Sequence, residues 1–84
     1  MITRKKIEIF KKYNGDPDHF ARVGKSQDKI NISDEDWSLI GVFIQDLELV
    51  NKGLASDTFV NRLEERIKEN IESVDVLHEL KSLI

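Results

Sequence analysis

The segment that begins at Ser33 and ends at Gly53 most constrains the fold of this chain, because it is long, apolar and bounded by helix signals at both ends. Ser33 offers an N-cap hydroxyl, and the three carboxylates after it suit the positive end of a helix. Gly53 can adopt the left-handed conformation that ends a helix. The large apolar residues between these signals are Trp37, Leu39, Ile40, Val42, Phe43, Ile44, Leu47, Leu49 and Val50. A helix that is apolar on nearly all sides has to lie inside a fold, so we predict a central, mostly buried helix over about 34–52.

The interior of this segment, residues 39–44, would also suit a buried strand if it were taken alone. The start and stop signals lie about twenty residues apart, whereas strands seldom exceed about ten residues, so the segment is predicted to be helical. Gly41 lowers the stability of a helix by about 1 kcal/mol relative to alanine. We expect the close approach of a neighbouring helix to explain this glycine.

Two shorter helices are predicted ahead of the central one. The first covers residues 3–13, with Thr3 as its N-cap, and the asparagine–glycine pair at 14–15 ends it. An aspartate–proline pair at 16–17 combines an N-cap with proline at the first helical position, which predicts a second helix to about Val23. The polar stretch 25–32 is expected to be an extended piece on the core or a loop.

Two further helices are predicted after the central one. Ser56 opens the first of them, and its apolar residues recur every three or four positions, which is typical of an amphipathic helix. This stripe consists of Val60, Leu63, Ile67, Ile71 and Val74. Ser73 is a candidate cap for the last helix, which begins at Asp75 or Val76 and runs to Leu83. We expect a break between the two helices near residues 72–73.

An 84-residue chain has room for one domain. We predict a single all-α domain over residues 1–84, a small bundle of four to five helices around the central one. The chain contains no cysteine, which excludes disulfides and thiolate metal sites. The basic start of the sequence is followed by no apolar run, and no segment reaches the roughly 20 apolar residues of a membrane span. We therefore expect a cytoplasmic protein.

Charge is distributed unevenly along the chain. The net charge is -3 at pH 7, but the first thirteen residues are strongly basic and contain Glu8 as their one acidic residue. The basic side chains there are Arg4, Lys5, Lys6, Lys11 and Lys12. Such residues neutralise phosphates, so the alternative function is a nucleic-acid-binding accessory protein that uses this basic N-terminal helix. The later helices begin with acidic residues, which repel a phosphate backbone and make nucleic acid the less favoured partner.

Two acidic clusters, at residues 16–19 and 34–36, resemble metal-binding sequences only superficially. A calcium loop needs glycine at its sixth position and glutamate at its twelfth, but counting from Asp34 these positions hold Leu39 and Gln45. Each cluster lies where a helix starts, and the unpaired N–H groups of a helix start account for the acidic residues. Neither His19 nor His78 stands in a catalytic signature. We expect no metal, no cofactor and no enzymatic activity.

Protein binding is the function that the remaining features favour. Trp37 enters the central helix directly after three acidic residues, and tryptophan is enriched in binding hot spots, although a buried core position is the alternative for this residue. The candidate partner-binding residues are Asp16, Asp18, Arg22, Asp34, Asp36 and Trp37. The excess apolar positions of the central helix are either covered by neighbouring helices or left exposed for a second subunit. We predict a protein-interaction or regulatory module that binds another protein, or itself as a homodimer, without covalent chemistry.

Overall fold

The computed structural model of the chain describes residues 1–13 and 31–84. Its helices in these two ranges are α1 (Arg4–Lys12), α2 (Asp34–Asn51), α3 (Asp57–Asn70) and α4 (Val74–Lys81). These residues contain no β-strand, and the all-α prediction is confirmed for them. The predicted second helix at 17–23 and most of the predicted stretch 25–32 lie outside the described residues.

The ends of α2 agree with the predicted start and stop signals. The Ser33 hydroxyl accepts a hydrogen bond of 3.2 Å from the backbone N–H of Asp36, as an N-cap does. At the other end Gly53 has a φ of 71°, which is the left-handed region that favours glycine. The N–H of Gly53 donates to the carbonyl of Val50, and the N–H of Leu54 donates to the carbonyl of Leu49, both at 3.0 Å. This pair of bonds is the Schellman motif, which uses carbonyls that the helix itself leaves without partners.

Burial on α2 is confined to one stripe. The buried residues of this helix are Trp37, Ile40, Phe43 and Leu47. Val42 and Leu49, by contrast, are 39% and 41% exposed. The prediction of a mostly buried helix is therefore not confirmed, since the helices that contact α2 cover only part of its circumference. Both α2 and α4 contact each of the other helices in the described part of the chain, so these contacts do not single out α2 as the centre.

The explanation offered for Gly41 finds no support among the described residues. A Cβ atom placed on this residue meets no heavy atom within 4 Å in the described structure. Within residues 1–13 and 31–84 no helix approaches the backbone of α2 closely at this point, so packing among these residues does not account for the glycine.

The N-terminal segment enters the core before α1 begins. The Thr3 hydroxyl accepts the N–H of Lys6 at 3.3 Å and caps α1. Ile2, which is fully buried, lies ahead of the cap and forms an isolated parallel bridge with Ile71. Its N–H donates to the carbonyl of Asn70 at 2.7 Å, and its carbonyl accepts the N–H of Glu72 at 3.0 Å. The start of the chain is thereby fixed to the connection between α3 and α4.

The predicted break between the last two helices is confirmed. α3 ends at Asn70, Ile71 has extended backbone angles, and α4 begins at Val74. Leu63 and Ile67 are buried as the apolar stripe predicts. Val74 belongs to the predicted stripe but is 62% exposed, because the break interrupts the helical periodicity before this residue.

The apolar side chains of the helices and of the N-terminal segment meet in one core. Its buried members are Ile2, Ile7, Ile9, Ile32, Trp37, Ile40, Phe43, Leu47, Leu63, Ile67, Ile71, Val76, Leu77 and Leu80. Among the described residues Phe43 is the largest of the fully buried side chains. The outer faces of α2 and α3 are not part of this core and contribute to the protein surface.

Candidate functional site

The structure describes three of the six predicted partner-binding residues. Asp34, Asp36 and Trp37 all lie in the first turns of α2. Asp16, Asp18 and Arg22 lie outside the described residues, so the structure does not test whether the six residues form one surface. The three that it describes differ in their environments, and they are considered in turn.

Asp36 is held by contacts within the chain. Its Oδ2 atom accepts a hydrogen bond of 2.7 Å from Nζ of Lys6, and its Oδ1 atom lies 3.9 Å from the N-terminal amino group. The side chain of Asp36 is only 16% exposed. The same Lys6 ammonium also donates to the carbonyl of Met1 at 2.6 Å. The carboxylate therefore ties the start of the chain and α1 to α2.

These contacts change the proton affinity of Asp36. Burial on its own raises the pKa of the carboxyl group, but the hydrogen bond from Lys6 and the positive charges of Lys6 and the N-terminus together outweigh burial. The pKa of Asp36 is therefore lowered from its ordinary value of 3.8. At neutral pH the Asp36 side chain is therefore charged and forms a structural ion pair with Lys6.

Trp37 lies in the core, where its indole is 7% exposed. The centre of the Phe10 ring is 4.8 Å from that of Trp37, and the Tyr13 ring is 6.3 Å away. Both ring pairs are tilted, a geometry that aromatic pairs favour. Trp37 thus occupies the core position that was the alternative to an interface anchor, whereas Asp34 in the preceding turn is exposed. In this arrangement Asp34, Asp36 and Trp37 share no common exposed face.

The basic residues of α1 are partly engaged in the fold. Lys6 is paired with Asp36, and Nη2 of Arg4 lies 3.6 Å from Oε1 of Glu79 on α4. Lys5 and Lys11 are exposed. Arg4 and Lys6, which were among the cations expected to suit phosphate contacts, therefore have acidic partners among the described residues.

A second surface, which sequence reasoning missed, lies where α2 turns into α3. Leu49, Leu54 and Phe59 line a shallow groove of about 300 Å³ together with Ala55 and Ser56. Leu54 is 71% exposed, Leu49 41% and Phe59 36%. We call Leu49, Leu54 and Phe59 the corner patch. Clustered exposure of large apolar side chains is a mark of binding sites.

Charged residues of both signs border the corner patch. A second groove, of about 280 Å³, shares Phe59 with the corner patch and is also lined by Asp46, Arg62, Leu63 and Arg66. None of the three charged side chains forms an ion pair within residues 1–13 and 31–84. The Arg66 guanidinium lies 5.7 Å from the centre of the Phe43 ring, in cation–π range. Arg62 and Arg66 are one helical turn apart, where like charges repel.

A local sequence signal pointed to part of the corner patch. In a Schellman motif the residue two positions after the C-cap commonly makes an apolar contact with the third residue from the helix end. In α2 these positions hold Leu54 and Leu49. Phe59 gave no comparable signal, because it lies in the first turn of α3 and outside the apolar stripe of that helix.

No candidate metal site lies among the described residues. Across these residues, no three His, Asp or Glu side chains are grouped so that they could hold a metal ion. His78 is exposed on α4, while His19 lies outside the described ranges. No helix in the described ranges has the length and apolar character needed to cross a membrane. Comparison with protein-family models, curated proteins and solved structures finds no match to this chain.

Proposed function

We propose that this chain is a small protein-interaction or regulatory module that acts by non-covalent binding and has no catalytic activity. The observation that carries the proposal is the corner patch of Leu49, Leu54 and Phe59. These side chains stay partly exposed to water although the chain has a continuous core in which comparable residues are buried. A partner that covers them regains the free energy that folding alone leaves unused.

Burial of these three side chains supplies part of the free energy of binding, and the rest has to come from the surrounding interface. Full burial of a Leu or Phe side chain contributes about 1.5–3 kcal/mol, in proportion to the area that was exposed. Binding energy in protein interfaces is concentrated in a few apolar or aromatic anchors, which are surrounded by polar residues. Leu54 and Phe59 are suited to be such anchors, and the neighbouring charges are suited to orient the partner.

A nucleic-acid-binding role for α1 remains the alternative. The ion pairs of Lys6 with Asp36 and of Arg4 with Glu79 count against it, because both cations would have to exchange an internal partner for phosphate. Binding through α1 would weaken steeply as salt is added and would respond to changes at Lys5 and Lys11.

The corner patch can be tested by comparative capture. We propose to attach the protein to a resin and to compare what is retained from the source cell by the wild type, by the double variant Leu54→Ser/Phe59→Ser and by Val74→Ser. Val74 is a matched control because it is 62% exposed but lies at the start of α4, outside the patch. We expect a protein that is retained by the wild type and by the control and lost from the double variant.

Two outcomes would contradict the proposal. One is that all three forms retain the same proteins, with circular dichroism showing equal helix content. The other is that binding survives the double variant but is abolished by Lys5→Glu/Lys11→Glu and by nuclease treatment. The second result would establish the nucleic-acid alternative.

We also propose a single domain over residues 1–84 with α2 as its central helix, in the cytosol. The complete burial of Phe43 in the core supports the central position. Phe43→Ala is then expected to lower the free energy of unfolding by about 3–5 kcal/mol, whereas Val42→Ala on the exposed face changes it by about 0.5 kcal/mol or less. Urea denaturation of the two variants compares these effects, and similar losses would contradict a core role for Phe43.

A further inference from the structure

We infer that the partner at the corner patch is a second copy of this chain, bound face to face through the outer sides of α2 and α3. The inference rests on the proposed function and adds the identity of the partner. It depends on how charges and apolar side chains are arranged around Phe59.

The charged groove beside Phe59 is complementary to itself. In a two-fold symmetric interface each residue i of one copy contacts residue j of the other, and j contacts i in return. Asp46 and the arginines 62 and 66 line the same groove and form no ion pair with any of the described residues. A two-fold axis that runs between Asp46 and the two arginines places Asp46 of each copy opposite the arginines of its partner. A partner of one charge sign would satisfy one side of the groove and be repelled by the other.

The apolar residues extend along the same face. Val42, Asp46 and Leu49 are spaced by four and three residues, so they lie on one side of α2. Phe59, Arg62 and Arg66 are spaced by three and four residues and lie on one side of α3. Each helix thus presents a side with apolar and charged positions, the composition of an interface with an apolar centre and a polar rim. A standard interface covers about 800 Å² per partner, and the chain exposes 5586 Å².

Charge reversal separates this arrangement from other modes of association. We propose to compare the wild type, Asp46→Arg, the double variant Arg62→Asp/Arg66→Asp and an equimolar mixture of the two variants by sedimentation velocity. In the first variant all three groove charges are positive, and in the second all three are negative. Each variant alone is expected to dimerise at least about tenfold more weakly than the wild type, because like charges meet across the axis. The mixture is expected to form heterodimers with close to wild-type affinity.

A matched control reverses charges on the same helix outside the groove. Glu65 and Lys68 are exposed on α3 and do not line the groove. Glu65→Lys/Lys68→Glu is expected to dimerise as the wild type does. Thermal denaturation of every variant establishes that each is folded at the temperature of the measurement.

The result that overturns the inference is also distinguishable from failure of the proposed function. If the wild type stays monomeric at high micromolar concentration while a different protein is captured through the corner patch, the second-copy inference is wrong and the interaction function stands. If the wild type dimerises but the mixture of variants does not, or the control variant is equally weakened, the interface lies elsewhere and the inference is wrong. A monomer without patch-dependent capture contradicts both.

Discussion

Nζ of Lys6 lies 2.7 Å from Oδ2 of Asp36, and this ion pair joins α1 to α2 across thirty residues of sequence. Both side chains are largely covered, at 21% and 16% exposed, which protects the pair from screening. The acidic start of α2 is therefore not a uniform solvated cluster. Asp34 and Glu35 are exposed, whereas Asp36 connects two parts of the fold.

Asp36→Asn is expected to lower the free energy of unfolding by about 1 kcal/mol at neutral pH, because it leaves the Lys6 ammonium without its carboxylate. The folded pKa of Asp36 is lowered, so the stabilisation is complete above the unfolded pKa and is lost as the pH falls through the folded pKa. The difference between wild type and variant should therefore shrink as the pH falls below about 4. Urea denaturation at a series of pH values measures this difference.

Glu35→Gln is the control for this measurement. It removes an exposed carboxylate from the same helical turn and so reproduces the loss of charge near the helix dipole. Either of two results would contradict the assigned role of Lys6. In one, Asp36→Asn lowers the free energy of unfolding no more than Glu35→Gln does. In the other, the difference in this free energy between wild type and Asp36→Asn does not change with pH.

Ile2 should be as important for stability as a residue in the middle of a helix. Ile2→Ala is expected to cost about 2–5 kcal/mol, since the side chain is fully buried beside Ile71. Ile2→Val is expected to cost about 0.5–1.5 kcal/mol and keeps the protein measurable if the larger change unfolds it. Val74→Ala, at an exposed position, serves as the reference, and urea denaturation of the three variants gives the order of their effects. Equal stability of all three would mean that the N-terminal segment is not docked.

The features of the fold that were predictable are those encoded by neighbouring residues. The Ser33 cap, the Gly53 stop and the break before α4 each depend on a few consecutive residues whose local chemistry is specific. The burial of α2 was not predictable in the same way. The apolar count of a helix does not show how many neighbours will cover it, and Val42 remains on the outside as a result.

The candidate site was less predictable because its residues come together from distant parts of the sequence. Nothing near Asp36 in the sequence indicates that Lys6 will neutralise it, and nothing near Asp46 indicates that two arginines of α3 will line the same groove. Both relationships follow from how the helices pack. The acidic cluster consequently suggested a binding surface at a point where the structure uses one carboxylate internally.

The fluorescence of Trp37 should report a buried indole. The chain contains one tryptophan, so its emission comes from this site alone. We expect a blue-shifted emission that resists quenching by acrylamide and shifts to the red on unfolding, because the ring is covered by Phe10 and Tyr13. Phe10→Ala should increase quenching, whereas Phe59→Ala, on the corner patch, should not. Emission typical of free tryptophan in the folded protein would place the indole at the surface and restore it as a candidate anchor.

Replacement by alanine should change the free energy of unfolding in opposite directions at Gly41, inside α2, and at Gly53, just after the C-terminus of this helix. Gly41 lies in the helix interior with space for a Cβ atom, so Gly41→Ala is expected to raise the free energy of unfolding by about 0.5–1 kcal/mol. Gly53 has a φ of 71°, so Gly53→Ala forces a side chain into the left-handed region and is expected to cost about 1–2 kcal/mol. For a domain of this size a change of 1 kcal/mol shifts Tm by roughly 4–8 °C, which thermal denaturation followed by circular dichroism resolves. A loss of stability in Gly41→Ala would mean that a neighbour does approach α2 at this point, and it would restore the packing explanation for the glycine.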